Sequence, residues 1–78
     1  MINNEYQNNA IKEKLDFFYA EKVAVHISKH NREFLNGKLV EKKSDNIFVI
    51  DERNKGLVSV FVSEVFDVEE FREGENES

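Results

Sequence analysis

The chain contains no cysteine, no proline and no tryptophan, and only three glycines among its 78 residues. Without cysteine, disulfide bonds and thiolate metal ligands are excluded, and nothing points to an oxidising compartment. Without proline, every strand can donate its full set of backbone hydrogen bonds. Because a chain of this length has only a marginally stabilising core, we expect oligomerisation to contribute to stability.

Long apolar runs are also absent. No stretch approaches the roughly 20 apolar residues that a membrane helix needs, and the opening MINNEYQNN has neither the basic nor the apolar region of a signal peptide. We therefore expect a cytoplasmic protein without membrane contact. Gly-rich phosphate loops and the common catalytic motifs are missing too, so we expect neither an enzyme nor a bound cofactor.

The formal net charge of −5 is unevenly distributed along the chain. Residues 21–43 contain six basic and three acidic residues, which gives +3, whereas residues 56–78 contain seven acids and one arginine, which gives −6. A local basic face can bind phosphate, although acids elsewhere weaken the long-range attraction. The acids of the last segment lack the burial that catalytic carboxylate pairs need, and we interpret them as a solubilising end.

The hydrophobic pattern predicts one helix followed by five strands. The first segment repeats apolar residues at helical spacings of three and four, at Ala10, Ile11, Leu15 and Phe18. Later segments alternate apolar and polar residues, which is typical of half-buried strands. The predicted elements are a helix over residues 4–20 and strands over 22–29, 33–43, 47–52, 57–62 and 65–71, with a disordered acidic tail over 72–78.

The second and third strands form the centre of the predicted fold. Ser44, Asp45 and Asn46 favour a tight turn between them. Gly37 lies inside the second strand, where a glycine indicates a bend or a close backbone approach. The sequence therefore predicts a mainly β, single domain over residues 1–71, with an N-terminal α-helix and a five-stranded, strongly bent antiparallel small barrel.

This order of elements resembles the SH3-like small barrels and, more closely, the Sm/LSm family, which includes archaeal Sm-like proteins and the bacterial Sm-like riboregulator. The resemblance covers roughly residues 5–71, and the residues similar to the first family motif are Phe34, Gly37, Leu39, Asp45, Asn46, Ile47, Val49 and Ile50. Asp45 lies eight positions after Gly37, about two more than is usual in the family, which implies a longer hairpin or a bulge. The segment FVSEV over residues 61–65 replaces the second family motif.

The resemblance implies a homo-oligomeric ring, a hexamer or heptamer, that binds short single-stranded RNA. In the family the turn between the second and third strands lines the pore, so Asp45 and Asn46 are expected near a base. Lys42, Lys43 and Arg32 are expected near phosphates. From the residues alone, the same stretch is equally an ordinary self-capping turn whose lysines are solvated.

His26 and His30 form a second polar cluster with Lys29 and Arg32. Alternation puts His26 on the polar face of the first strand. A metal site needs a further ligand, and neither cysteine nor a close acid supplies one, so we expect surface or phosphate-contacting residues and no metal.

The fourth predicted strand contains VSVFV over residues 58–62, with no charged residue to protect an exposed edge. Such an edge promotes aggregation unless another chain pairs with it, which favours oligomerisation independently of the resemblance. The alternative hypothesis is an SH3-like protein–protein interaction module that binds no nucleic acid. It would bind a protein partner by strand addition or through an aromatic groove.

Overall fold

The computed structural model describes residues 4–71, with side chains from Gln7 onward. Its elements are a helix, five strands and a 3-10 helix: α1 (Asn4–Glu21), β1 (Ala24–Lys29), β2 (Phe34–Ser44), β3 (Ile47–Glu52), β4 (Gly56–Phe61), η1 (Val62–Glu64) and β5 (Val65–Glu70). Each bound lies within two residues of the predicted one. The break expected at Ser63 and Glu64 is η1, and the tail predicted over 72–78 lies outside the described residues.

All five strands belong to one antiparallel sheet in the order β4-β3-β2-β1-β5. The predicted mainly β fold, a helix followed by a bent five-stranded antiparallel sheet, is confirmed. β4 and β5 are the two outer strands of this sheet, and η1 carries the chain from one to the other. Each of them therefore has one edge without a partner strand in the described chain.

β2 is the longest strand and bends as it crosses the sheet. Its register against β3 shifts between Leu39 and Glu41 and again between Lys42 and Ser44. An extra residue on one strand of an antiparallel pair bends that strand and increases its twist. The second shift lies beside the turn, where the spacing between Gly37 and Asp45 predicts a longer hairpin or a bulge.

Gly37 allows β2 and β3 to approach closely at the bend. A Cβ atom placed at Gly37 would lie 2.1 Å from the backbone oxygen of Asp51 and 2.8 Å from the carbonyl carbon of the same residue. Real Cβ atoms do not come this close to backbone atoms, so only glycine fits without moving β3. The prediction that Gly37 marks a bend or close approach is therefore confirmed.

The carboxylate of Glu52 fixes the next turn. Glu52 is only 4% exposed, and its oxygens accept the backbone N–H groups of Asn36 (3.1 Å), Asn54 (2.8 Å) and Lys55 (2.9 Å). These backbone hydrogen bonds, first that from Asn36, hold the pKa of Glu52 below its ordinary value. The carboxylate thus joins the β3–β4 turn to β2 beside Gly37.

α1 packs on the sheet through one apolar face. Ile11 and Leu15 are buried in the core, and Phe18 and Tyr19 pack against it; Ala10, predicted on the same face, is exposed. Hydrophobic contact supplies most of the stability of such a helix. Among the described residues, no helix combines the length and apolar character that crossing a membrane requires.

Substituting Gly37 by alanine is expected to lower the free energy of unfolding by about 3 kcal/mol, the upper end of the usual cost of overpacking, because the new methyl group meets backbone rather than a movable side chain. Urea denaturation followed by circular dichroism measures the change. The matched control is Gly56→Ala, where φ is +79° and the space is open, so that only the left-handed backbone conformation costs about 1–2 kcal/mol. Equal losses in the two variants would contradict the close-approach account.

Candidate nucleic-acid interface

The β2–β3 turn is held in place through its backbone. The N–H of Asn46 donates to the Oγ of Ser44 at 3.2 Å, as predicted for a self-capping turn. The carbonyl oxygen of Asn46 accepts the N–H of Val62, the first residue of η1, at 2.9 Å. Asp45 and Asn46 are exposed at the tip of this turn. Backbone bonds thus position the turn while the Asn46 side chain remains open to a ligand.

Lys42 forms ion pairs with other residues of the protein. Its Nζ lies 2.8 Å from Asp16 of α1 and 3.6 Å from Asp45, and 5.7 Å from the centroid of the Phe48 ring. The hydrogen bond to Asp16 raises the pKa of Lys42 above its ordinary value. One of these carboxylates belongs to α1 and the other to the β2–β3 turn, so Lys42 joins the helix to the turn and its charge is already compensated. Lys43 is exposed and forms no ion pair with a described residue.

Arg32 lies in the β1–β2 loop in a left-handed backbone conformation, with φ 74°. Its N–H donates to the carbonyl of Lys29 at 2.9 Å, and the N–H of Lys29 donates to the carbonyl of Glu33 at 2.9 Å. The Oδ1 of Asn31 accepts the Glu33 N–H at 2.9 Å. This closed loop forces a conformation that glycine adopts without strain and arginine does not. The arginine side chain is exposed and makes no ion pair with a described residue.

η1 brings this loop close to the β2–β3 turn. Its first residue binds Asn46, as described, and the carbonyl of its last residue, Glu64, accepts the N–H of His30 at 3.0 Å. A 3-10 helix rises about 2 Å per residue, so Val62 and Glu64 lie about 4 Å apart along its axis. With the two hydrogen bonds added, the carbonyl oxygen of Asn46 and the backbone nitrogen of His30 lie on the order of 10 Å apart. We call the β1–β2 loop (residues 30–33), the β2–β3 turn (residues 45 and 46) and η1 the η1 surface. It contains Arg32, Asp45 and Asn46, and Lys42 and Lys43 lie beside it.

Two polar clefts adjoin η1. The first, of about 270 Å³, is lined by Lys29, His30, Asn31, Ser63 and Glu64. The second, of about 410 Å³, is lined by His30, Ser63 and two amide side chains of α1, Gln7 and Asn8. Sequence reasoning did not assign Ser63 or the two amides to the interface. No local pattern could have found them, because they meet only when the helix packs across the end of the sheet.

Charges around the clefts are largely paired. Lys29 is the central cation, with Nζ 3.1 Å from Glu33 and 3.6 Å from Glu64. The hydrogen bond and charge of Lys29 lower the pKa of Glu33. Lys29 therefore contributes little free positive charge. Of the three cations predicted to contact RNA, Arg32 and Lys43 form no ion pair with a described residue, whereas Lys42 does.

The two histidines have different surroundings. His26 stacks on Phe34, with ring centroids 5.2 Å apart, and its Nδ1 is hydrogen-bonded to the Oδ1 of Asn36. The rings of His30 and Phe66 form a T-shaped pair, with their centroids 5.7 Å apart. Within the part of the chain that the structure describes, no three His, Asp or Glu side chains converge on a common point that could hold a metal ion.

Comparison of the chain with protein-family models gives no match, and a search of curated proteins finds no relative. The resemblance to the Sm/LSm family therefore stays a prediction. Assignment of the five predicted residues to RNA binding, Arg32, Lys42, Lys43, Asp45 and Asn46, is likewise a prediction. What the fold adds is their common location on or beside the η1 surface.

Replacing Arg32 by glycine is expected to raise the free energy of unfolding by about 0.5–1 kcal/mol, since relief of the left-handed strain exceeds the entropy that glycine adds to the unfolded chain. Thermal denaturation measures this change. The control is Asn31→Gly in the same loop, which loses the hydrogen bond to Glu33 and should be destabilising. A destabilised Arg32→Gly variant would show that the arginine side chain holds the fold instead.

Proposed function

We propose that identical copies of this chain assemble in the cytoplasm into a closed, Sm-like ring that binds short single-stranded RNA. The ring forms when β4 of one copy pairs with β5 of the next. RNA binds at the η1 surface of each copy. The proposal rests on one observation: η1 joins the β1–β2 loop to the β2–β3 turn, and it lies between two strands whose outer edges have no partner strand in the described chain.

The two free edges support assembly. β4 has no charged side chain, and it exposes Leu57 (72%) and Phe61 (44%), while β5 exposes Phe66 (57%). An unprotected apolar edge is the kind of surface to which another chain adds a strand. Because β4 and β5 are different surfaces, their pairing is head-to-tail, and such contacts generate a ring when the rotation closes.

The chemistry of the η1 surface suits RNA. An exposed amide such as that of Asn46 can hydrogen-bond the edge of an unstacked base, while Arg32 and Lys43 can contact phosphates. One copy offers few free cations in an acidic chain, so a single surface would bind weakly. A ring presents the same surface several times to one strand, and linked weak contacts raise the overall affinity.

Assembly can be tested on the outward face of β4, where Ser59 is exposed between Leu57 and Phe61. A Ser59→Glu variant should weaken the ring, because it faces the acids of β5, including Glu69, in the next copy. Like charges opposed across strands cost up to about 1 kcal/mol per interface. The matched Ser59→Lys variant should assemble at least as well as the unmodified chain. Sedimentation velocity measures both, and equal weakening by the two substitutions would argue against β4–β5 pairing.

RNA binding can be tested at Asn46. An Asn46→Ala variant should bind oligo-uridine about fivefold more weakly, since loss of one base hydrogen bond costs on the order of 1 kcal/mol. Fluorescence anisotropy of a labelled oligonucleotide at low salt measures the Kd. The control, Asn54→Ala, changes an exposed asparagine of the β3–β4 turn and should leave the Kd unchanged. Unaltered binding by a folded Asn46→Ala variant would remove Asn46 from the site.

A second candidate function is an SH3-like protein-interaction module. The observation that favours it is the aromatic cluster on the outer face of β1 and β2, where Phe34 is 57% exposed and stacks on His26. Exposed aromatic residues are enriched at protein interfaces. This candidate predicts a monomer or dimer and no affinity for oligo-uridine at low salt, so the same two measurements distinguish it from the ring.

A further inference from the structure

An open cleft of about 540 Å³ lies where α1 ends, between the helix and the middle of β2. Its lining residues are Tyr19, Ala20, Lys22, Lys38, Leu39 and Val40. None of them belongs to the η1 surface. The volume falls within the range of about 300–1,000 Å³ that is usual for small-molecule sites.

Two of the lining residues are lysines without an ion-pair partner among the described residues. Lys22 and Lys38 form no ion pair with any described residue, whereas Lys14, Lys29 and Lys42 are each paired with a carboxylate. No lining residue is acidic. Two free cations in one cleft of a chain with net charge −5 favour an anionic ligand.

Two acids adjoin these lysines, one as a neighbour in sequence and one as a cross-strand partner. Glu21 precedes Lys22 at the end of α1, and Asp51 of β3 is the cross-strand partner of Lys38. Neither carboxylate lies within ion-pair distance of either lysine. Removing the charge of Asp51 should therefore strengthen anion binding without breaking an ion pair.

The backbone fixes the position of Lys22. Its φ is 60°, and its N–H donates to the carbonyls of Phe18 (2.9 Å) and Tyr19 (3.3 Å), which closes the end of α1. Glycine is the usual residue in such a left-handed helix cap. The same hydrogen bonds satisfy two carbonyl groups at the C-terminus of α1. Carbonyl groups left unsatisfied at a helix C-terminus repel anions.

The rest of the cleft is apolar and aromatic. Leu39 is buried, Val40 is 49% exposed, and Tyr19 is held edge-on against Phe48 with ring centroids 6.2 Å apart. Such a wall suits a flat ring attached to the anionic group, because planar bases stack on aromatic side chains. We propose that this cleft binds a nucleoside monophosphate, with Lys22 and Lys38 contacting the phosphate and Tyr19 lying against the base.

The test is a titration of the full ¹⁵N-labelled chain with adenosine 5′-monophosphate, followed by NMR. We expect saturable shifts at the amides of Lys22 and Lys38. Lys22→Gln and Lys38→Gln should each weaken the Kd about fivefold, the effect of losing roughly 1 kcal/mol from one phosphate contact, and Asp51→Asn should tighten it. Lys55→Gln, an exposed lysine outside the cleft, is the matched control and should change nothing.

Adenosine without phosphate, at the same concentrations, should bind at least tenfold more weakly. Equal binding of adenosine, shifts confined to the η1 surface, or no saturable shifts would each overturn the proposal. The nucleotide could be free or part of an RNA strand. If the two glutamine variants also weaken oligonucleotide binding, the cleft takes a nucleotide of RNA; if only the monophosphate is affected, it takes a free nucleotide. Either result stands apart from the Asn46 test of the ring.

Discussion

The close approach of β2 and β3 at Gly37 is the constraint on which the rest of the structure depends. The backbone oxygen of Asp51 occupies the space that any side chain at Gly37 would need. The next residue is Glu52, whose buried carboxylate accepts hydrogen bonds from three backbone N–H groups. These bonds join β2 to the β3–β4 turn. Steric fit and hydrogen bonding therefore act at the same point, and together they fix the register of the two central strands.

The bend of β2 determines where the η1 surface lies. β2 begins after the β1–β2 loop and ends at the β2–β3 turn, so in a flat sheet its length would separate them by roughly 35 Å. In this fold both connect to the three residues of η1. Polar groups that are distant along β2 thereby share one surface, and the free edges of β4 and β5 lie on either side of the connection.

Much of this fold could be predicted from local patterns. Alternating apolar residues indicate the strands, Ser44 to Asn46 indicate the turn, and Gly37 indicates the bend, because each signal depends on neighbours in the chain. The Lys42–Asp16 ion pair joins residues 26 positions apart, and the burial of Glu52 depends on the path of β2. Such contacts arise from packing and leave no local pattern in the sequence. The sequence therefore predicts Lys42 as a phosphate ligand, because its carboxylate partners become known only from the structure.

Pairing of charges also determines which cations of this acidic chain are left without a carboxylate partner. Lys14, Lys29 and Lys42 hold elements together through carboxylates. Arg32 and Lys43 near η1, and Lys22 and Lys38 at the end of α1, form no ion pair with a described residue. Lys12 and Lys55 also form no ion pair with a described residue, so such cations are scattered in small numbers rather than gathered on one broad basic face. Binding through so few charges per copy gains most from repetition in an assembly.

Native mass spectrometry of the unmodified chain with a short oligo-uridine tests the central claim most directly. The account predicts a closed assembly of six or seven times the 9.2 kDa chain mass, which gains the mass of one oligonucleotide without changing its number of copies. A 9.2 kDa species that binds no oligonucleotide at low salt would contradict both the ring and its RNA site.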